Sequence, residues 1–237
     1  MGDRETMRFT QANTIADLYI LGDWDASLVT ANAFIEDCER GAPHRLEYFA
    51  RFHRAAVALG RGELDAALDD LERSREIALR ESDVWSKLDV LSERARAQFL
   101  LGRIDSARDL ASEVVRMAGT RSQPLQYRIA LLCLYAEELG ILSEMLRIVE
   151  AAPSDNFSKA ATAALAGDFR EAAVVYTELG ANTGEAESRL RAAAALAAAG
   201  RMSEADVELE KALDFYRSVD ATFFIERAEK LVETTTT

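Results

Sequence analysis

Gly200-Arg201-Met202-Ser203-Glu204-Ala205, followed by Leu209, Ala212, Leu213 and Tyr216, is the stretch on which the fold is read. Glycine tolerates the left-handed backbone that ends a helix, so Gly200 closes the alanine-rich run before it. Ser203 with Asp206 three residues on reads as a capping box for the next helix. Ala205, Leu209, Ala212, Leu213 and Tyr216 then stand at i, i+4, i+7, i+8 and i+11, one stripe of a helix with about 3.6 residues per turn.

The same pattern recurs upstream. Turn glycines stand at Gly22, Gly62, Gly102, Gly140, Gly167 and Gly200, with spacings of 40, 40, 38, 27 and 33 residues. A period of that size with two helices per unit marks a helical solenoid. Four copies share glycine, a charged residue, a large apolar residue, two free positions and alanine. The large side chain (Leu64, Ile104, Phe169, Met202) fills the wedge between the helices, and the small one (Ala67, Ala107, Ala172, Ala205) lets them approach. The copy at Gly22 carries Ser27 in place of alanine, and the one at Gly140 keeps almost none of the pattern.

The spacing predicts helices over about 10–21, from the Gly22 turn to 40, over 45–59, from the Gly62 turn to 79, over 84–101, from the Gly102 turn to 117 or 118, over 125–139, 141–151 and 157–166, from the Gly167 turn to 179, and over 185–199, 203–217 and 221–233. Residues 1–9 and 234–237 read as disordered ends, and Gly180–Gly184 as a flexible link that could hinge one domain spanning 1–237. The fold class is therefore all-α: a right-handed α–α superhelix of about six hairpins with a C-terminal capping helix.

These units resemble tetratricopeptide repeats, whose signature places an apolar residue two after the glycine and alanine five after it. Leu71, Tyr176 and Leu209 fit the large position nine after the glycine. Ser74, Val114, Leu179 and Ala212 fit the small or apolar one twelve after it. Spacings near 40 exceed the usual period of about 34 and are similar to the longer-helix variety of large bacterial signalling proteins. The runs Leu190–Ala193, Gly200-Arg201 and Ala212–Val219 resemble the tails of bacterial ATPase-type transcription activators and of multidomain nucleotidyl cyclases. That likeness implies a relative of a regulatory module.

Of 237 residues 49% are apolar, enough for a sizeable core, and 3 prolines suit long helices. A formal charge of −13 argues against nucleic acid and anionic membranes, whose partners carry basic faces. No apolar run reaches the ~20 residues that span a bilayer, and no signal peptide opens the chain, so the reading places it in the cytoplasm. Cys38 and Cys133 lie too far apart in sequence for a metal framework, and His44 and His53 are nine residues apart, off one helical face. Adjacent acids such as Asp69-Asp70 and Glu137-Glu138 diverge on a helix. No catalytic set, cofactor or metal site emerges, and the chain reads as no enzyme.

Function is assigned instead to the inner face. Anchoring each unit on its glycine puts Phe9, Tyr19, Phe49, Phe52, Arg96, Phe99, Tyr127, Leu134 and Glu137 on the first helices, lining a concave groove. Aromatics bury large area at modest entropic cost, so the groove is expected to hold a protein or peptide segment. Rotation of these residues into the core is the competing outcome. The alternative function is a sensor with a small-molecule effector inside the superhelix. In the last helix, Phe223–Val232 offers an apolar surface for capping or for a homodimer.

Overall fold

The computed structural model describes residues 2–119 and 124–235, with side chains for 5–119 and 124–231. Among these residues the regular elements are all helical: α1 (Gly2–Leu21), α2 (Trp24–Glu39), α3 (Glu47–Gly60), α4 (Leu64–Arg80), α5 (Val84–Leu100) and α6 (Ile104–Ala118). The second half runs α7 (Tyr127–Leu132), a 3-10 turn (Cys133–Tyr135), α8 (Ala136–Leu139), α9 (Leu142–Ala151), α10 (Asn156–Leu165) and α11 (Phe169–Glu178). It ends with α12 (Asn182–Ala198), α13 (Met202–Ser218) and α14 (Thr222–Thr235). Consecutive helices pack on one another along the chain.

One turn chemistry joins the pairs. At Gly200 (φ +74°) the Gly200 N–H reaches the Ala197 carbonyl and the Arg201 N–H the Leu196 carbonyl, both at 2.9 Å. These two bonds satisfy carbonyls that the helix end would leave open, and they need a left-handed residue between them. Gly140 (φ +73°) makes the same pair to Glu137 and Ala136, although its unit keeps little of the sequence pattern. The small positions behave as the spacing predicts: Ser27, Ala67, Ala107, Ala172 and Ala205 are all buried, and the Ser27 hydroxyl donates to the Ile15 carbonyl at 2.9 Å.

Several boundaries differ from expectation. No capping box forms at Ser203; α13 starts at Met202 after Arg201, which makes no side-chain cap bond, because the tight glycine turn sets the helix start two residues earlier. The helix expected over 125–139 is interrupted by the 3-10 turn, and the interruption coincides with Tyr135 bonding to α12. Residues 2–9 belong to α1 rather than to a frayed end, and 234–235 to α14; residues 236–237 lie outside the described residues. The segment 180–184 is a tight turn and the start of α12. Gly180 (φ +65°) repeats the two-bond turn, Ala181 and Thr183 are buried, and a β-carbon on Gly184 would stand 2.9 Å from the Tyr176 ring.

The ends of the helix row meet. α1 packs against α12, α14 against α3, and α12 against α14. Polar bonds seal the seam: the Trp24 indole donates to Thr183 Oγ1 (3.1 Å), and Thr183 Oγ1 in turn donates to the Tyr19 carbonyl (2.6 Å). Thr222 Oγ1 donates to the Arg61 carbonyl (2.7 Å), and Arg61 Nε to the Val219 carbonyl (3.2 Å). These contacts bring α12 and α14, from the C-terminal end, against α1 and α3 from the N-terminal end.

Candidate functional site

At the centre, five side chains from α5, α7, the 3-10 turn and α12 form a buried chain of charge. Arg96 grips Glu187 through Nε (2.8 and 3.1 Å) and Nη2 (2.8 Å), and donates to Glu93 through Nη1 at 2.7 Å. Arg128 Nη1 bonds the second Glu93 oxygen at 2.7 Å, and the Tyr135 hydroxyl donates to Glu187 Oε1 at 2.7 Å. The four charged side chains are no more than 3% exposed. Two cations alternate with two anions, which is how charges are tolerated out of water. The Arg128 guanidinium also lies over Tyr19 (4.6 Å) and Phe52 (5.1 Å), a cation–π arrangement.

Burial alone would push Arg96 down, but Glu187 and Glu93 reverse it and hold the guanidinium well above its ordinary range. His53 is driven well down by burial and then by Arg128, against its bond to the Phe49 carbonyl, so it sits neutral. Burial pushes Asp89 up to about 7, opposed by Arg128 and reinforced by Asp83 and Glu93. Among the described residues no group of three His, Cys, Asp or Glu could hold a metal, and no helix is long and apolar enough to cross a membrane.

The residues assigned to the inner groove separate into three groups. Tyr19, Phe52, Arg96, Tyr127 and Leu134 are buried, consumed by the contacts between α1, α3, α5, α7 and α12. Phe49 and Phe99 are half-buried, Phe49 against Phe52 (5.0 Å) and Phe99 against Tyr135 (4.7 Å). Phe9 and Glu137 are exposed. In α1 the buried stripe runs Arg8, Ala12, Ile15, Tyr19, which leaves Phe9 about 100° off it. The interior aromatics thus line core rather than an open groove. In α14, Phe224 and Ala228 are buried, Phe224 stacked on Tyr216 at 4.8 Å; the side chain of Val232 lies outside the described residues.

Open space lies instead beside the last turns of α5, α8, α10 and α12. One cavity of about 430 Å³ is lined by Leu134, Glu137, Glu138, Leu165, Phe169 and the small face of α12. A second, of about 490 Å³, lies between α12 and α14, lined by Leu100, Tyr135, Leu190, Arg227, Lys230 and Leu231. Arg191, Ala194 and Ala198 line both. Arg191 is the wall between them: its Nη2 pairs with Glu138, and its guanidinium stands over Tyr135 (5.1 Å) and Phe169 (5.0 Å). Tyr135 also binds Glu187, so the surface groove connects to the buried charge chain through one side chain.

Of the residues that sequence reasoning assigned to a concave groove, Leu134 and Glu137 line this cavity, while Arg96 lies in the buried charge chain instead. It missed Glu93, Arg128, Tyr135 and Glu187 as a cluster, and Arg191, Arg227 and Lys230 as a rim. The i, i+3 spacing of Glu93 and Arg96 was the one local signal, since residues so placed meet on a helix. No protein-family model matches the chain, and no curated protein does.

Proposed function

We propose that this protein is a non-enzymatic interaction module, built from tetratricopeptide-like hairpins, that holds a segment of a partner protein in the groove divided by Arg191. One observation carries the reading: two adjoining cavities share the alanine face of α12 and open at the surface, while the aromatic interior is closed. Small side chains allow a partner backbone to approach closely, and the flanking leucines and aromatics supply apolar area. The likeness of its repeats to bacterial regulators suits a role in signalling or transcriptional control.

The test is affinity capture with the full chain and with Ala194→Arg, which places a long cation on the floor common to both cavities. Ala194 is half-exposed, so the fold should accept the change. A partner retained by the parent and lost by the variant supports the reading; equal retention refutes it. A second reading, a small-molecule effector site, is favoured by cavity size, since about 430 and 490 Å³ fall within the range of small-ligand pockets. Thermal stabilisation by a metabolite, abolished by Ala194→Arg, would favour it over the first.

A further inference from the structure

Among the described residues, the charged side chains lining the cavity between α12 and α14 are all cationic. Arg191, Arg227 and Lys230 line it, with no Asp or Glu among the described lining residues, although acids outnumber bases 41 to 28 in the chain and its net charge is −13. Leu100, Leu190 and Leu231 supply apolar contact beneath them. Arg227 donates to the Leu100 carbonyl at 2.9 Å, but a guanidinium carries five N–H donors and one such bond does not exhaust it. Arg191 holds Glu138 through Nη2, while its buried Nε has no hydrogen-bond partner among the described residues. Three cations against an apolar floor complement an apolar body beside a negative charge.

We infer that the occupant of this cavity is an acidic peptide segment in which an Asp or Glu side chain stands next to an apolar residue. The leucine-lined floor takes the apolar side chain, and Arg227 and Lys230 face the carboxylate. Arg191 sits where it can exchange Glu138 for the incoming acid. This assignment rests on the groove reading above and goes further in naming the chemistry of the segment.

The experiment is selection of displayed random peptides on the full chain, with the winning peptides then titrated against three proteins: the parent, Lys230→Glu and Ala194→Arg. Lys230 is exposed, and a melting curve of each variant checks that it folds before its affinity is read. The expected winners pair Asp or Glu with Leu, Ile or Phe. Their affinity falls about tenfold or more in Lys230→Glu, is lost in Ala194→Arg, and weakens with added salt. Neutral or basic winners that are blocked by Ala194→Arg yet indifferent to Lys230→Glu overturn the acidic assignment and leave the groove standing. Winners indifferent to Ala194→Arg, or no winners at all, overturn both.

Discussion

Replacing Glu187 by alanine removes the carboxylate at which α5, the 3-10 turn and α12 converge. Arg96 then keeps only Glu93, which Arg128 already shares, so two guanidinium groups are left on one carboxylate in a region 1–3% exposed. An uncompensated buried charge of this kind costs about 3–5 kcal/mol. For 237 residues the unfolding entropy is about 0.5 kcal/mol/K, so the melting temperature should fall by roughly 6–10 °C. The Tyr135 hydroxyl loses its acceptor as well, which places the expected cost in the upper part of the range.

The decisive comparison is with Arg96→Met and Glu187→Leu combined. That pair of changes leaves Glu93 and Arg128 as a balanced ion pair and fills the vacated volume with apolar atoms. Its cost should be about 0–2 kcal/mol, less than that of Glu187→Ala alone. Urea unfolding followed by far-ultraviolet circular dichroism reads both, and added salt should not mask the effect because the pair is out of reach of screening. The reasoning fails if Glu187→Ala costs less than about 1 kcal/mol, or if the double variant costs the sum of its singles.

Turn glycines differ in what surrounds them. Gly22→Ala (φ +91°) brings a β-carbon to 2.6 Å from Phe215, whereas Gly102→Ala (φ +75°) meets nothing within 4 Å; thermal melts should show about 1 kcal/mol for the second and clearly more for the first. Asp89 is protonated in the fold up to about pH 7, so raising pH from the ordinary carboxylate range through 7 drains stability by about 1.4 kcal/mol per unit. Asp89→Asn should flatten that slope in unfolding measured across pH 4–8. His53 works in the opposite sense: its folded pKa lies below 6.5, so stability falls as pH drops below about 6.5, and His53→Gln should remove that fall. Cys133 is buried and its thiol is pushed up by burial, so iodoacetamide at pH 8 should label it only after unfolding; rapid labelling of the native protein would contradict the packing.

Much of the fold was legible because its signals are local. A glycine that must turn left-handed, a small residue five positions on and an apolar stripe at helical spacing each act within one hairpin, so Gly62 to Ala67 or Gly200 to Ala205 can be read without knowing the rest of the chain. The break at Cys133–Tyr135 escaped that reading, since it coincides with a bond from Tyr135 to Glu187, 52 residues away.

The groove and the interior belong to the other category. Arg96 meets Glu187 across 91 residues, and Trp24 meets Thr183 across 159. No periodicity records either meeting. A charged residue on an inner helix face has the same local pattern whether water or a carboxylate awaits it. The sequence by itself determined that the chain forms paired helices turned on glycine. Only the tertiary structure decided that the ends meet, that Tyr19, Phe52 and Tyr127 become core, and that the open surface lies along α12. Burial depends on which helices come together, and that is a property of the whole chain, not of any one stretch.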